Sequence, residues 1–230
     1  MTDGEAPRRR GRPPRLSVEE RREAVLDAAL ELFATTGRSA VSVDAVAARA
    51  GVQKPSVYRL YPSKDELYRA AVAREVDRFT AWVDECYGGS TDLPLEDRIR
   101  ARATGVVAHA GSHRVGMTLL VRALRSWPDE DLSVGVELRQ RVLDVLARFA
   151  TVESRRDGVD VGPAADAIAV ITFGLTQAVV ELVVEDRGWS TDALGELLAE
   201  TTVAAFTRTS PAMWLAMMAP EPRRGTPGQI

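Results

Sequence analysis

Cysteine occurs once in the 230 residues, at Cys86, so no disulfide can close within the chain. Histidine occurs twice, and two histidines with one cysteine make no metal-ligand cluster. Cys86 acting as a redox sensor would need an electropositive, exposed setting. The sequence has no apolar leader and no uninterrupted apolar run of the roughly 18 residues that a membrane span needs, which argues against secretion or insertion and leads to a cytoplasmic expectation. The most apolar stretch, Ala164 to Val184, is broken by Asp166, Thr172, Thr176, Gln177 and Glu181 and reads as too interrupted to cross a bilayer. Long alternations of β-branched and polar residues are missing, so an all-α fold is expected. No G-x-S-x-G, Walker or G-x-G-x-x-G pattern appears, and with it no enzyme and no cofactor is expected.

Lysine is almost absent. Of the 30 basic side chains all but Lys54 and Lys64 are arginine, and both lysines fall in one short stretch. The net charge of -3 hides an asymmetry: residues 1–64 carry a net +4 and residues 65–230 a net -7. A basic head on an acidic body suits a protein whose head lies on phosphates. The first 16 residues form an arm too polar to fold alone. Within it residues 8–15 hold Arg8, Arg9, Arg10, Arg12 and Arg15 and no acid, and the Arg-Gly-Arg-Pro core is similar to an AT-hook, which inserts arginine into a narrow minor groove. The alternative is a solvated tail that only raises affinity. Deleting residues 1–15 is expected to weaken DNA binding and flatten its salt dependence, by about 0.9 log unit per lost phosphate contact. An unchanged slope in a salt titration removes the arm from the mechanism.

Apolar residues recur at helical spacing from Val18 to Thr36, with Ser17 and Glu20 forming a capping box and Gly37 a stop. Ser42 caps a second helix, about Val43 to Ala50, and Gly51 ends it; Pro55 is tolerated in the first turn of a third. Two short helices joined at a glycine suggest a helix-turn-helix. That motif needs a small residue where its helices cross, a glycine four residues on, and apolar residues to lock the pair. Ala47 and Gly51 meet the first two demands, and Val46, Ala50, Val52, Val57 and Leu60 the third. An ordinary αα-hairpin is the other reading of this window.

The segment from Gly51 through Gln53-Lys54-Pro55-Ser56-Val57-Tyr58-Arg59-Leu60-Tyr61-Pro62-Ser63-Lys64 to Leu67 resembles the signature of the tetracycline-repressor (TetR) family, and the similarity extends over roughly residues 18–70. The resemblance implies a dimeric repressor, released from its operator when a small molecule enters the C-terminal domain. It also implies that Gln53, Lys54, Pro55, Ser56, Tyr58 and Arg59 lie on or just before the recognition helix. Their chemistry agrees: Arg59 can pair bidentately with guanine, Gln53 can read adenine, and the Ser56 and Tyr58 hydroxyls can hold phosphates. Lys64 matches the family lysine that meets a phosphate at the start of helix four, where Ser63 caps the helix with Glu66 as partner. Ser42 sits where relatives contact the backbone, although capping alone accounts for it. Leu60 stands where relatives often have histidine, so an operator sequence cannot be borrowed. Tyr61 falls on the apolar side of the turn and reads as core.

Behind the head a long helix, about Lys64 to Tyr87, enters the body. Further helices are expected near Leu93–Ala110, Arg114–Trp127, Asp131–Glu153, Pro163–Asp186 and Thr191–Thr207. The resulting division is a flexible arm (1–16), a helix-turn-helix domain (17–64), a helical regulatory and dimerisation domain (65–208) and a tail (209–230). The helices near 163–186 and 191–207, the second with a Leu194, Leu197, Leu198, Ala205 stripe, resemble the pair that builds the family's dimer interface; serving only the protomer core is the alternative. The expected partners are a double-stranded DNA operator, a second copy of the chain and an unidentified small-molecule effector, with no membrane. Trp82, His109, His113, Met117, Trp127, Phe149, Phe173 and Gln177 are candidates to line the effector pocket, each also readable as ordinary core or surface. The tail from Met213 and Trp214 onward can dock on the body or fray. An architectural DNA binder and a transcriptional activator remain as alternative functions.

Overall fold

The computed structural model describes residues 17–88, 92–125, 133–156, 164–208, 210 and 212–213. The arginines Arg8, Arg9, Arg10 and Arg12 of the arm, together with Trp127, Pro163 and the tail from Trp214, lie outside the described residues.

Among those described, all regular structure is helical. Helix α1 (Val18–Thr36) opens with the reciprocal capping box: Glu20 N donates to Ser17 Oγ at 3.1 Å and Ser17 N to Glu20 Oε2 at 2.7 Å. Its inward stripe of Val25, Ala29 and Phe33 is fully buried, and Phe33 meets Tyr68 edge-on at 5.0 Å. Helix α2 (Val43–Arg49) starts at Ser42, whose Oγ accepts from Ala45 N, and closes through Gly51 at φ +66°. There Gly51 N bonds to Ala48 O and Val52 N to Ala47 O, the paired bonds of a Schellman cap that only a residue at ease in the left-handed region supplies cheaply. That cap aims α3 (Lys54–Leu60) away from α2, while Val46, Ala47, Val57 and Tyr61 turn inward to lock the pair on α1.

Helix α4 (Lys64–Gly88) runs 25 residues, roughly 37 Å, from the head into the body. The body adds α5 (Leu95–Ser112), α6 (Arg114–Arg125), α7 (Ser133–Arg156), α8 (Ala165–Val184) and α9 (Thr191–Arg208). Among the boundaries that differ from expectation, two have a plain local cause. Helix α5 begins after Pro94 rather than at Leu93, because the residue before a proline is pushed out of helical geometry. Helix α8 stops at Val184, short of Asp186, which takes a left-handed φ of 52°.

Helix α9 packs chiefly on α5, and α8 on α7 and α5; α6 packs on α1 as well as on α4 and α8. One connected apolar core therefore runs from the head into the body. The expectation that α8 is too interrupted to span a bilayer is corrected here: by length and composition it passes as a membrane-crossing helix, since its polar residues are few and mostly uncharged. Within this fold 28% of its most apolar stretch is buried, and Val170 and Ile171 stand exposed. The α9 stripe divides between two faces. Leu194 and Leu198 point into the protomer, whereas Leu197 is 56% exposed.

Candidate nucleic-acid interface and effector cavity

Helix α3 presents Lys54, Pro55, Tyr58 and Arg59 to solvent, with Gln53 exposed at its N-cap and Ser56 half-buried. Arg59 Nη2 donates to Ser56 Oγ at 3.0 Å, one turn back on the same face, so the pair is held in register along the outward side of the helix. Lys54 Nζ lies 2.8 Å from Asp44 Oδ2, and both side chains are substantially exposed, so water and salt keep the bridge weak and exchangeable. Lys64 is half-buried at the start of α4, its Nζ 3.4 Å from Ser39 O, beside the cap in which Ser63 Oγ accepts from Glu66 N. Ser42 is exposed and engaged in its cap. These residues thus share one end of the molecule, spread over α2, α3 and the α4 N-terminus. Tyr61 is 6% exposed, as its place on the apolar side of the turn implies.

The body encloses two neighbouring cavities. The larger, about 60 Å³, is walled by α4 (Phe79, Val83, Tyr87), α6 (Met117, Leu120, Val121, Leu124), α7 (Leu138, Val142, Leu146) and α8 (Phe173, Thr176, Gln177, Val180), with Val106 from α5. The smaller, about 30 Å³, is lined by Arg102, Phe149, Ile168, Thr172, Thr202 and Phe206 among others, and the two share Tyr87, Val106, Leu146 and Thr176. Of the pocket candidates, Met117, Phe173 and Gln177 line the larger cavity and Phe149 the smaller. Trp82, His109 and His113 line neither.

Those three form a ring stack instead: Trp82 and His109 lie 4.2 Å apart between centroids, and His109 and His113 likewise 4.2 Å. Burial, with a smaller contribution from the His113 charge, pushes His109 down to about 4. The unfolded chain therefore binds a proton that the folded one refuses between pH 6.5 and about 4, and stability falls as pH drops through that window. His109→Gln is expected to flatten that part of the pH profile in thermal melts; an unaltered profile would assign the acid sensitivity elsewhere. Cys86 is exposed, and partial burial of its sulfur together with Glu85 pushes its thiol up, the opposite of activation.

The sequence reading missed most cavity-lining residues and, more consequentially, Arg102. Its register is the signal that was present: Arg98 and Arg102 fall within the Ile99, Ala103, Val106 stripe of α5, and both are buried.

The architecture defines a helix-turn-helix protein with a larger helical body. The profile of bacterial regulatory proteins, tetR family, matches residues 25–71. The helix-turn-helix segment of this chain is thus that of the TetR family. It is 42% identical over 89 residues to the transcriptional activator FasR of Mycolicibacterium smegmatis, a match covering 39% of either chain. It is 47% identical over 60 residues to the transcriptional repressor KstR of Rhodococcus jostii, covering 26% of this chain and 28% of that one. These matches span two fifths or less of the curated relatives. Among solved structures, a TetR-like transcriptional regulator from Rhodococcus sp. RHA1 superposes with a TM-score of 0.67 at 27% identity, covering 83% of this chain and 98% of that one. FadR of Bacillus subtilis, solved in complex with stearoyl-CoA, gives 0.68 at 18% identity over 80% and 98%, a likeness of fold.

Proposed function

We propose that the chain is a sequence-specific DNA-binding transcriptional regulator that works as a homodimer, a repressor released from a palindromic operator when a small molecule enters the body. Residues 17–64 serve as the DNA unit, in which Gln53, Tyr58 and Arg59 meet bases or the sugar-phosphate chain and Ser42, Lys54, Ser56 and Lys64 hold phosphates. Residues 65–208 carry the effector cavity and the dimer surface on α8 and α9. Action on chromosomal DNA implies the cytoplasm.

The observation that carries this reading is that α4 and α6 each wall the larger cavity and also hold the head. Helix α4 begins in the head at Lys64 and lines the cavity with Phe79, Val83 and Tyr87. Helix α6 lines it with Met117 and Leu120 while packing on α1, and Arg122 approaches so closely to Gly37 that a Cβ there would sit 2.9 Å from its Nη1. At about 60 Å³ the cavity is smaller than the roughly 150 Å³ void that admits benzene, so a drug-sized ligand enters only by displacing these helices. A ligand that favours the displaced arrangement shifts the spacing of two heads that must sit about 34 Å apart on DNA.

A footprint on DNA flanking the protein's own gene tests the reading. A short palindromic protection supports a dimeric reader, and diffuse protection supports an architectural binder. Activation is the second reading, because FasR is an activator and the sign of control depends on where the operator lies relative to the promoter.

A further inference from the structure

We infer that the paired cavities take an amphipathic monoanion, an apolar carboxylic acid in ionised form, with its head on Arg102 in the smaller cavity and its apolar body in the larger. The inference rests on the effector reading above and specifies its ligand.

Helix α5 places Arg98 and Arg102 one turn apart on a buried face, with 7% and 9% of their surface exposed, and among the described residues one buried carboxylate, Glu153, stands near them. Arg98 pairs with Glu153 and donates to Leu93 O. Two guanidinium charges thus share one carboxylate, and Arg102 lines the smaller cavity. Its Nη1 reaches Arg98 O only at 3.4 Å, and its Nε has no hydrogen-bond partner. Two rings pack beside the guanidinium, Phe149 at 4.1 Å and Tyr87 at 5.2 Å to the centroid, and meet each other edge-on at 5.3 Å. The polar edge with the unpartnered Nε carries the fork of N–H groups that suits a carboxylate. Burial is also the leading cause of a lowered Arg102 pKa, the mark of a cation whose surroundings do not fully replace water.

The rest of the enclosure sets the other half of the ligand. Beyond the wall shared with the smaller cavity, the larger one offers hydrocarbon and aromatic surface, and among its lining residues only Tyr87, Thr176 and Gln177 carry a side-chain oxygen or nitrogen. A dianionic phosphate would bring a second charge that no further cation among the residues lining the cavities meets, whereas a single carboxylate balances the surplus charge.

Binding of decanoate and palmitate, and of the alcohols of the same lengths, to the full-length dimer by calorimetry and thermal shift tests the inference, with Arg102→Met and Arg102→Lys alongside wild type. Wild type is expected to prefer each acid over its alcohol by about tenfold or more. Arg102→Met is expected to lose that preference while keeping a melting temperature at or above that of the ligand-free wild type, because the surplus buried charge is gone; Arg102→Lys should retain part of the preference. Equal affinity for acid and alcohol in wild type, a preference that survives in Arg102→Met, or no binding of either overturns the inference. DNA affinity in the same samples separates the two readings. Acid binding that depends on Arg102 but leaves DNA affinity unchanged refutes the effector role and upholds the head-group assignment. Release of DNA by alcohol as well as by acid, in Arg102→Met as in wild type, does the reverse.

Discussion

Arg59→Ala is expected to erase the specific footprint while leaving the fold intact. The side chain is exposed on α3, and its hydrogen bond to Ser56 Oγ at 3.0 Å joins two solvent-facing groups, so truncation removes little stability. A bidentate arginine–guanine pair supplies about 1–3 kcal/mol of discrimination, and a dimer loses it in both half-sites. The expected loss is therefore about 2–6 kcal/mol, between roughly 30-fold and 10⁴-fold in operator affinity, with much less change on unrelated DNA. Quantitative footprinting against thermal melts separates the two effects. Protection that is diffuse and indifferent to the substitution would mean that the protein reads phosphates alone, and the assignments along α3 would fall with it.

Ile171→Glu is expected to separate the dimer. Ile171 is 42% exposed on α8 beside Val170, and Leu197 is exposed on the neighbouring α9, so both helices leave apolar side chains uncovered in a single protomer. Gly174 continues the exposed face, with nothing within 4 Å of where its Cβ would be. A second copy packed there would bury the two introduced carboxylates, one from each protomer, at a symmetric interface without a partner cation, at a cost of several kcal/mol. Sedimentation should show a monomer at concentrations where wild type is dimeric, with operator binding reduced to that of a single head. Since the side chain already meets solvent, the protomer itself should stay folded. A variant that remains dimeric and binds its operator as before would assign α8 and α9 to the protomer core alone.

The head was legible because its determinants are local. A capping box spans Ser17 to Glu20, a left-handed glycine closes α2, and Pro55 tolerates only a first turn; each constraint acts within five residues, where sequence order and spatial proximity coincide. The cavities were not legible, because a void is defined by what five helices fail to fill, and Leu120, Leu138 and Val142 look in sequence like any other core residue. His109 and His113 drew attention for being rare and polar, yet their spacing of four on consecutive turns stacks them on each other and on Trp82 instead of turning them inward. Arg102 was overlooked for the opposite reason. In a chain whose cations are nearly all arginine, one more carries no compositional signal, and only its register with Ile99 and Val106 separates it from a solvated residue.

The two lysines have a practical side. Both side-chain amines sit in the helix-turn-helix head, Lys54 exposed at the start of α3 and Lys64 half-buried at the start of α4. Reagents that acylate amines therefore find their side-chain targets where the double helix is expected to lie. A chip or bead that captures the protein through lysine would hold it face down, and an affinity measured there would report the chemistry of attachment; immobilising the DNA instead leaves the head free.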